Sequence, residues 1–217
     1  MVYSSIDIER VQAKNNGPSI RHEFNLNDKI IVAIIAALSP EKDHITFLKA
    51  ANILLKRNKN FHFLIVGKGK EEENIRLFIN EHNLASSVTL TGFRDDVPNV
   101  LSESNYFTMT STEEGLGSSI LEAFANKIPV VATDVGGIPE IVIHGESGLL
   151  AQKGDIEAIA SHILALENNT DLKQTLIDNA YNIVKNKFNI EHCASQTAEI
   201  YWDIMHNQKV EIDSKVL

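Results

Sequence analysis

One α/β domain built on a parallel sheet is the fold this sequence predicts, on three observations. From Lys29 onward, short apolar runs rich in β-branched residues alternate with longer stretches of helical period, the pattern of successive βαβ units. Glycine-broken turns follow several of those runs, and strand signals stop after Leu150 while helical period continues to His206. At 217 residues, 43% hydrophobic and 23% charged, the chain has the size and composition of an ordinary soluble domain with a sizeable core.

About six strands are predicted, near Ile30 to Ala37, His62 to Val66, Val88 to Thr91, Tyr106 to Thr110, Val130 to Thr133 and Gly148 to Leu150. After the first, DHITFLKAANILLKRN carries Ile45, Leu48, Ala51, Ile53 and Leu55 at spacings that suit one helix face. EEENIRLFINEHN does the same with Ile75, Leu77, Phe78 and Ile79, so both read as crossover helices. Three C-terminal helices are predicted near Ile156 to Glu167, Asp171 to Lys187 and Ile190 to His206, the last carrying Tyr201 and Trp202 as packing or docking residues. Residues 1–28 read as a connector more than a core element, 29–206 as the domain and 207–217 as a frayed tail.

With Asp+Glu 29 against Lys+Arg 20, the formal net charge is −9. No general basic field is available to attract nucleic acid or anionic lipid, and a polyanionic ligand has to be held locally. The one cysteine, Cys193, excludes an internal disulfide and fits a reducing compartment, so a cytoplasmic location is expected. The opening residues lack a basic segment followed by an apolar run, and the longest apolar stretch, Ile30 to Leu38, is too short to span a bilayer. The expectation is neither a secreted nor an integral membrane chain.

In an open parallel sheet, ligands bind beyond the carboxyl ends of the strands, which directs attention to five turns: LSPEKDHI, GKGKEE, GFRDDVP, STEEGLGSS and DVGGIPE. In the fourth, Gly115 and Gly117 let backbone approach a ligand, Ser118 or Ser119 can cap the helix that follows, and the free amides suit a phosphate. A tight strand-to-helix turn with no ligand is the plainer reading of those glycines. Two carboxylates, Glu114 and Glu122, flank the turn eight positions apart. An acid beside an anion site opposes phosphate unless it is aimed at other groups, and hydroxyls of a ribose and a sugar are the natural target. The competing reading, acids favoured near a helix N-terminus by its dipole, covers Glu113 and suits Glu114 better than Glu122.

Lys42, after the first strand, can neutralise a diphosphate or be an ordinary solvated lysine. Gly67 and Gly69 permit close approach, yet the third glycine of the dinucleotide fingerprint is missing, and NAD binding is not supported. In GGIPE, Gly136 and Gly137 make a turn, or a second and smaller amide cradle, ahead of Pro139 as the first helical residue. The eight histidines show no metal spacing, with His44 alone beside a ligand turn, so neither metal nor cofactor is assigned.

Taken together and in order, SPEK, VGKG, TGFRDDVP, EEGLGSSILEAFANKIPVVATDVGGIPEIV and SGLL resemble the C-terminal half of the retaining glycosyltransferases of family 4 (group 1), over about Ile6 to Met205. The most specific part is the E-x7-E motif from Glu114 to Glu122 with the following PVVATDVGGIPE. The resemblance implies a single Rossmann-like domain, the donor-binding half of a GT-B enzyme, and a UDP- or GDP-sugar as substrate. It places Glu122 on the ribose hydroxyls, Glu114 on the transferred sugar, and amides of Gly115, Leu116, Gly117, Ser118 and Ser119 near phosphate and sugar. Lys42 matches the phosphate-binding lysine; with Glu114 it forms the expected catalytic pair, while Gly67, Gly69, Phe93 and Arg94 join the donor site, the last two where family members hold the base largely through backbone groups.

The family further implies metal-independent transfer with retention of configuration, polysaccharide biosynthesis as a setting, and an acceptor sugar, lipid or glycan held by an N-terminal domain that this chain does not contain. The stretch SSIDIER resembles the end of the connector from that domain, so the chain is expected to be a fragment or one half of a split enzyme, whose complete form can touch a membrane peripherally. A second departure is Ala37, standing where the family often has an arginine that binds phosphate; Arg94 is expected to compensate. Two alternatives accompany this reading: a nucleotide-sugar-binding module or subunit without catalysis, and another GT-B enzyme such as a sugar-nucleotide epimerase.

Overall fold

The computed structural model describes residues 4–13 and 19–206. In chain order its elements are α1 (Ile8–Gln12), α2 (Ile20–Glu23), β1 (Ile30–Ile35), a 3-10 turn (Pro40–Lys42), α3 (His44–Arg57), β2 (Phe61–Val66), α4 (Glu72–Glu81), β3 (Val88–Gly92), α5 (Val97–Glu103), β4 (Tyr106–Met109), α6 (Ser118–Ala125), β5 (Val130–Thr133), α7 (Ile138–Ile141), β6 (Leu149–Ala151), α8 (Ile156–Asn168), α9 (Thr170–Lys187) and α10 (Ile190–His206). All six strands pair in parallel, in the order β3-β2-β1-β4-β5-β6. The single α/β domain with six parallel strands flanked by helices is therefore as the sequence predicts.

Strand alternation divides the core between the two faces of the sheet. Val32 and Ile34 of β1, with Phe61, Phe63 and Ile65 of β2, pack beneath α3, α4 and α8, while Ile31 and Ala33, with Leu64 and Val66, face the opposite side. Likewise Tyr106 and Val131 join the first cluster, and Phe107, Met109, Val130 and Ala132 meet α6 and α7. Both faces are covered, which is why these strands read as continuous apolar runs.

The strand order reverses between β1 and β4, since the chain leaves β1 toward β2 on one side and reaches β4 on the other. The helices that follow those two strands, α3 and α6, pack on opposite faces of the sheet, and the crevice at the carboxyl edge between them is the usual ligand position in such a sheet.

Several elements differ from expectation. Residues read as a connector contribute core side chains: Ile20 and Leu26 are buried with Ile31, Leu64 and Val100, and Ile6 is buried against the α6 side. Backbone also ties this segment down, through Ile6 N–H to Phe188 O at 2.9 Å and Ile190 N–H to Ile6 O at 3.1 Å. Helices α1, α2 and α5 are too short to show a helical period, so the sequence did not display them. Pro139 is the second residue of α7, behind Ile138, instead of the first. Helix α10 carries no buried residue; Tyr201 and Trp202 are exposed, the latter stacked on His206 with ring centroids 3.8 Å apart. The predicted frayed tail lies outside the described residues.

Candidate functional site

The crevice is built from the turns after β1 and β4. After β1 the 3-10 turn closes with Asp43 in the left-handed region (φ 44°), a conformation aspartate tolerates because its side chain bonds locally. Asp43 accepts from Thr46 N–H at 3.1 Å and from Thr46 Oγ1 at 2.6 Å, capping α3 and fixing the direction of Lys42 just before it. The two turns are then laced together: Thr112 N–H donates to Glu41 O at 2.7 Å, and Thr110 Oγ1 donates to the carbonyls of Lys42 and Asp43 at 3.1 and 3.0 Å.

That lacing brings the expected catalytic residues together. Lys42 Nζ forms an ion pair with Glu114 Oε2, which also accepts from Ser111 Oγ at 3.3 Å. Their side chains are only 20% and 12% exposed, so the pair is weakly screened. Glu114 Oε1 has no partner among the described residues, and Lys42 keeps two of its three donors. One acceptor and one cation thus face the crevice from a fixed position.

Beyond Glu114 the chain turns into α6. Gly117, at φ 79°, is the N-cap residue and gives no side-chain cap; Ser118 and Ser119 are the first two helical residues, which corrects the expectation that one of them caps the helix. The amides of Gly115, Leu116, Gly117, Ser118 and Ser119 have no acceptor among the described residues. A helix start left uncapped by its own side chains keeps its N–H groups and dipole available to an anion.

The glycines of the neighbouring turns lie against the chain's own backbone. A Cβ on Gly67 would lie 1.9 Å from Ala36 O, and one on Gly69 would lie 2.1 Å from Leu38 O. Their close approach is to the β1 turn of the same chain. Gly136 and Gly137 press in the same way on the backbone carbonyls of Glu114 and Gly115, at 1.8 and 1.9 Å from a built Cβ, and Gly137 N–H donates to Glu114 O at 3.2 Å. The GGIPE turn is therefore a buttress under the Glu114 loop, and the Gly137 amide is spent there.

Glu122 lies one turn along α6 and borders a cleft of about 650 Å³ with Ser118, Asp95, Val97 and Pro98. Burial pushes its carboxyl up from the usual range, and the nearby charge of Arg10 opposes that shift. No hydrogen-bond donor reaches the Glu122 carboxylate among the described residues. Phe93 stands 67% exposed in the turn after β3, with Lys68 Nζ 6.0 Å from its ring centre.

Arg94 does not take the part expected of it. Its guanidinium is 14% exposed and donates to Asp96 at 2.7 and 2.8 Å and to Glu23 at 2.9 and 3.0 Å. Those bonds raise its pKa further and hold the Asp96 carboxyl below its ordinary value. A guanidinium enclosed by two carboxylates is not free to compensate for Ala37 as expected, and Ala37 itself is exposed.

Residues 18–183 match the family model described as Glycosyl transferases group 1. The chain belongs to that family. Among its relatives, N-acetyl-alpha-D-glucosaminyl L-malate synthase of Bacillus anthracis is 27% identical over 96% of this chain and 54% of its own length. An uncharacterized glycosyltransferase of Methanocaldococcus jannaschii is 32% identical over 87% of this chain and 52% of its own. Of solved structures, Anabaena HepE in complex with UDP and glucose superimposes with a TM-score of 0.84 at 26% identity, covering 93% of this chain and 56% of that one. The chain spans about half the length of the curated relatives it matches.

Seen as a group 1 domain, the site holds more residues than the motif reading named. Thr110, Ser111 and Thr112 fix Glu114 against Lys42, and Asp43 sets the β1 turn. The one sequence signal for them was their position directly after apolar runs. Among the described residues no helix is long and apolar enough to cross a membrane.

Proposed function

We propose that this domain binds the nucleoside-diphosphate sugar donor of a retaining glycosyltransferase of family 4. The observation that carries the reading is the Lys42–Glu114 pair at the strand-order reversal, set beside five consecutive unclaimed amides at the start of α6. Lys42 and those amides offer positive potential where a diphosphate would leave, the preorganised stabilisation that lowers a barrier most. Glu114 Oε1 accepts from a hydroxyl of the transferred sugar, and Glu122 from the ribose. That HepE was solved with UDP and glucose, and that a relative from Escherichia coli is by name a UDP-Gal-dependent galactosyltransferase, supports a UDP-sugar as the first donor to try.

In this reading the sugar keeps its anomeric configuration because the acceptor attacks from the face the diphosphate leaves, and the positive charge comes from the protein without a metal. The acceptor and the rest of the cleft belong to a further domain, in keeping with the doubled length of the relatives. Polysaccharide assembly, a cytoplasmic location and peripheral membrane contact of the complete enzyme are part of the same proposal. A second reading, donor binding without catalysis, draws on exposed Ala37 and the engaged Arg94.

Calorimetry of the domain with UDP-, GDP- and ADP-sugars tests the assignment. Binding of one donor, weakened about tenfold or more by Lys42→Ala and by Glu122→Ala, is expected. No binding across the panel, or binding indifferent to both substitutions, would sink it.

A further inference from the structure

We infer that Arg10, on α1, is the second cation of the donor site and binds the diphosphate of the nucleotide from across the Glu122 cleft. The inference rests on the donor-binding reading and deepens it. Arg10 lies outside the residues that match the family model.

Four observations lead to it. First, the cleft that Glu122 borders is lined by Arg10 and Val11 of α1 and by its N-cap Asp7, together with Ser118 and Glu122 of α6. Ser118 is the first residue of the uncapped helix start, so the cleft runs from the proposed ribose acceptor to the proposed phosphate cradle.

Second, charge in the cleft is unbalanced. Its described lining includes three carboxylates, Asp7, Asp95 and Glu122, and one cation, Arg10. A nucleoside diphosphate adds further negative charge, and entering an acidic cleft without a cation would be opposed by Coulomb repulsion.

Third, the Arg10 guanidinium is uncommitted. It forms no ion pair and donates no side-chain hydrogen bond among the described residues, in contrast to Arg94 with its two carboxylates. It lines the same cleft as Glu122 without forming an ion pair with that carboxylate.

Fourth, α1 is held in place. Asp7 caps it by accepting from Arg10 N–H at 3.0 Å, Gln12 Nε2 donates to Ala125 O at 2.6 Å, and Asn126 Nδ2 donates to Val11 O at 2.9 Å. These bonds join α1 to the far end of α6, so the cation is presented from a fixed support, and a planar guanidinium suits a phosphate.

The test is a charge series at one exposed position: Arg10→Lys, Arg10→Gln and Arg10→Glu, titrated calorimetrically with UDP, GDP and ADP beside the native domain and Lys42→Ala. The expected result is a graded loss of affinity for the preferred nucleotide: small for lysine, about tenfold for glutamine, larger for glutamate, with unchanged melting temperatures. A merely structural arginine would not produce that order. If glutamine and glutamate variants bind as the native domain does while Lys42→Ala weakens binding, Arg10 is a bystander and the donor reading stands. If the native domain binds none of the three diphosphates, the donor reading and this inference fall together.

Discussion

Gly137→Ala isolates the buttress under the Glu114 loop. Gly137 has φ −84° and ψ −1°, an ordinary helical conformation, so alanine brings no backbone strain and the effect is purely one of space. The new Cβ would sit 1.9 Å from Gly115 O, whereas real Cβ contacts essentially never fall under 3.0 Å, so loop and turn must separate by about 1.1 Å. That movement also breaks the 3.2 Å bond from Gly137 N–H to Glu114 O. Overpacking costs about 1–3 kcal/mol and the lost bond about 1 kcal/mol, so urea denaturation should show a loss of about 2–4 kcal/mol. For a domain of this size that corresponds to roughly 4–16 °C in melting temperature. Because the displaced backbone carries Glu114 and the α6 amides, nucleotide affinity should fall as well, on the order of tenfold or more. Stability within about 0.5 kcal/mol of native together with unchanged nucleotide affinity would refute the packing argument.

Lys42→Ala and Glu114→Ala should each destabilise the fold by about 1–3 kcal/mol by leaving the other charge unpaired, while the double variant costs less than the two singles together, because it alone leaves no orphaned charge behind; strictly additive losses in urea midpoints would argue against the pair. Arg94→Ala should lower stability by about 1–3 kcal/mol through the orphaned Asp96 and Glu23, yet change the nucleotide Kd less than about threefold, measured by calorimetry. Burial lowers His44 and His62 to pKa values of about 4 from the ordinary 6.5. The unfolded chain therefore takes up these protons first, and their contribution is complete above about pH 6.5 and lost as pH falls toward 4, on the order of 3 kcal/mol each. Equal pH dependence of stability in the native domain and a His44→Leu/His62→Leu variant would remove that explanation. Tyr106→Phe should cost about 1–2 kcal/mol by deleting the hydroxyl that donates to Glu167 Oε2 at 2.5 Å, and an unchanged melting curve would count against it.

Much of the architecture was visible in the chain because its long elements have strong periods. A strand such as β2, buried along its whole length, must be a continuous apolar run, and α3 must alternate apolar and polar positions at 3.6 residues. Short elements escape that logic. Helix α5 begins at Val97 with Pro98 in its first turn and lasts seven residues, too few for a period to emerge, and α1 with five residues is held by contacts far away in sequence.

The candidate site divides along the same line. Residue types and order marked the turns: glycines, a lysine and two glutamates beyond the carboxyl ends of the strands were legible from Ser39 to Glu122. Their partners were not. That Gly67, Gly69, Gly136 and Gly137 accommodate the chain's own backbone, and that Arg94 is enclosed by Asp96 and Glu23, follow from approaches between turns distant in sequence.

By itself, then, the sequence determined the βαβ order, the parallel sheet, and the residues available at its carboxyl edge, because hydrophobic period and turn chemistry are local properties. Only the tertiary structure decided which of those residues act together. Strand order places the β1 and β4 turns side by side, joining Lys42 to Glu114, and packing of α1 on α6 carries Arg10 into the Glu122 cleft. Those pairings span tens to more than a hundred residues of chain, a separation at which no local pattern reports contact; the sheet and its helices set it.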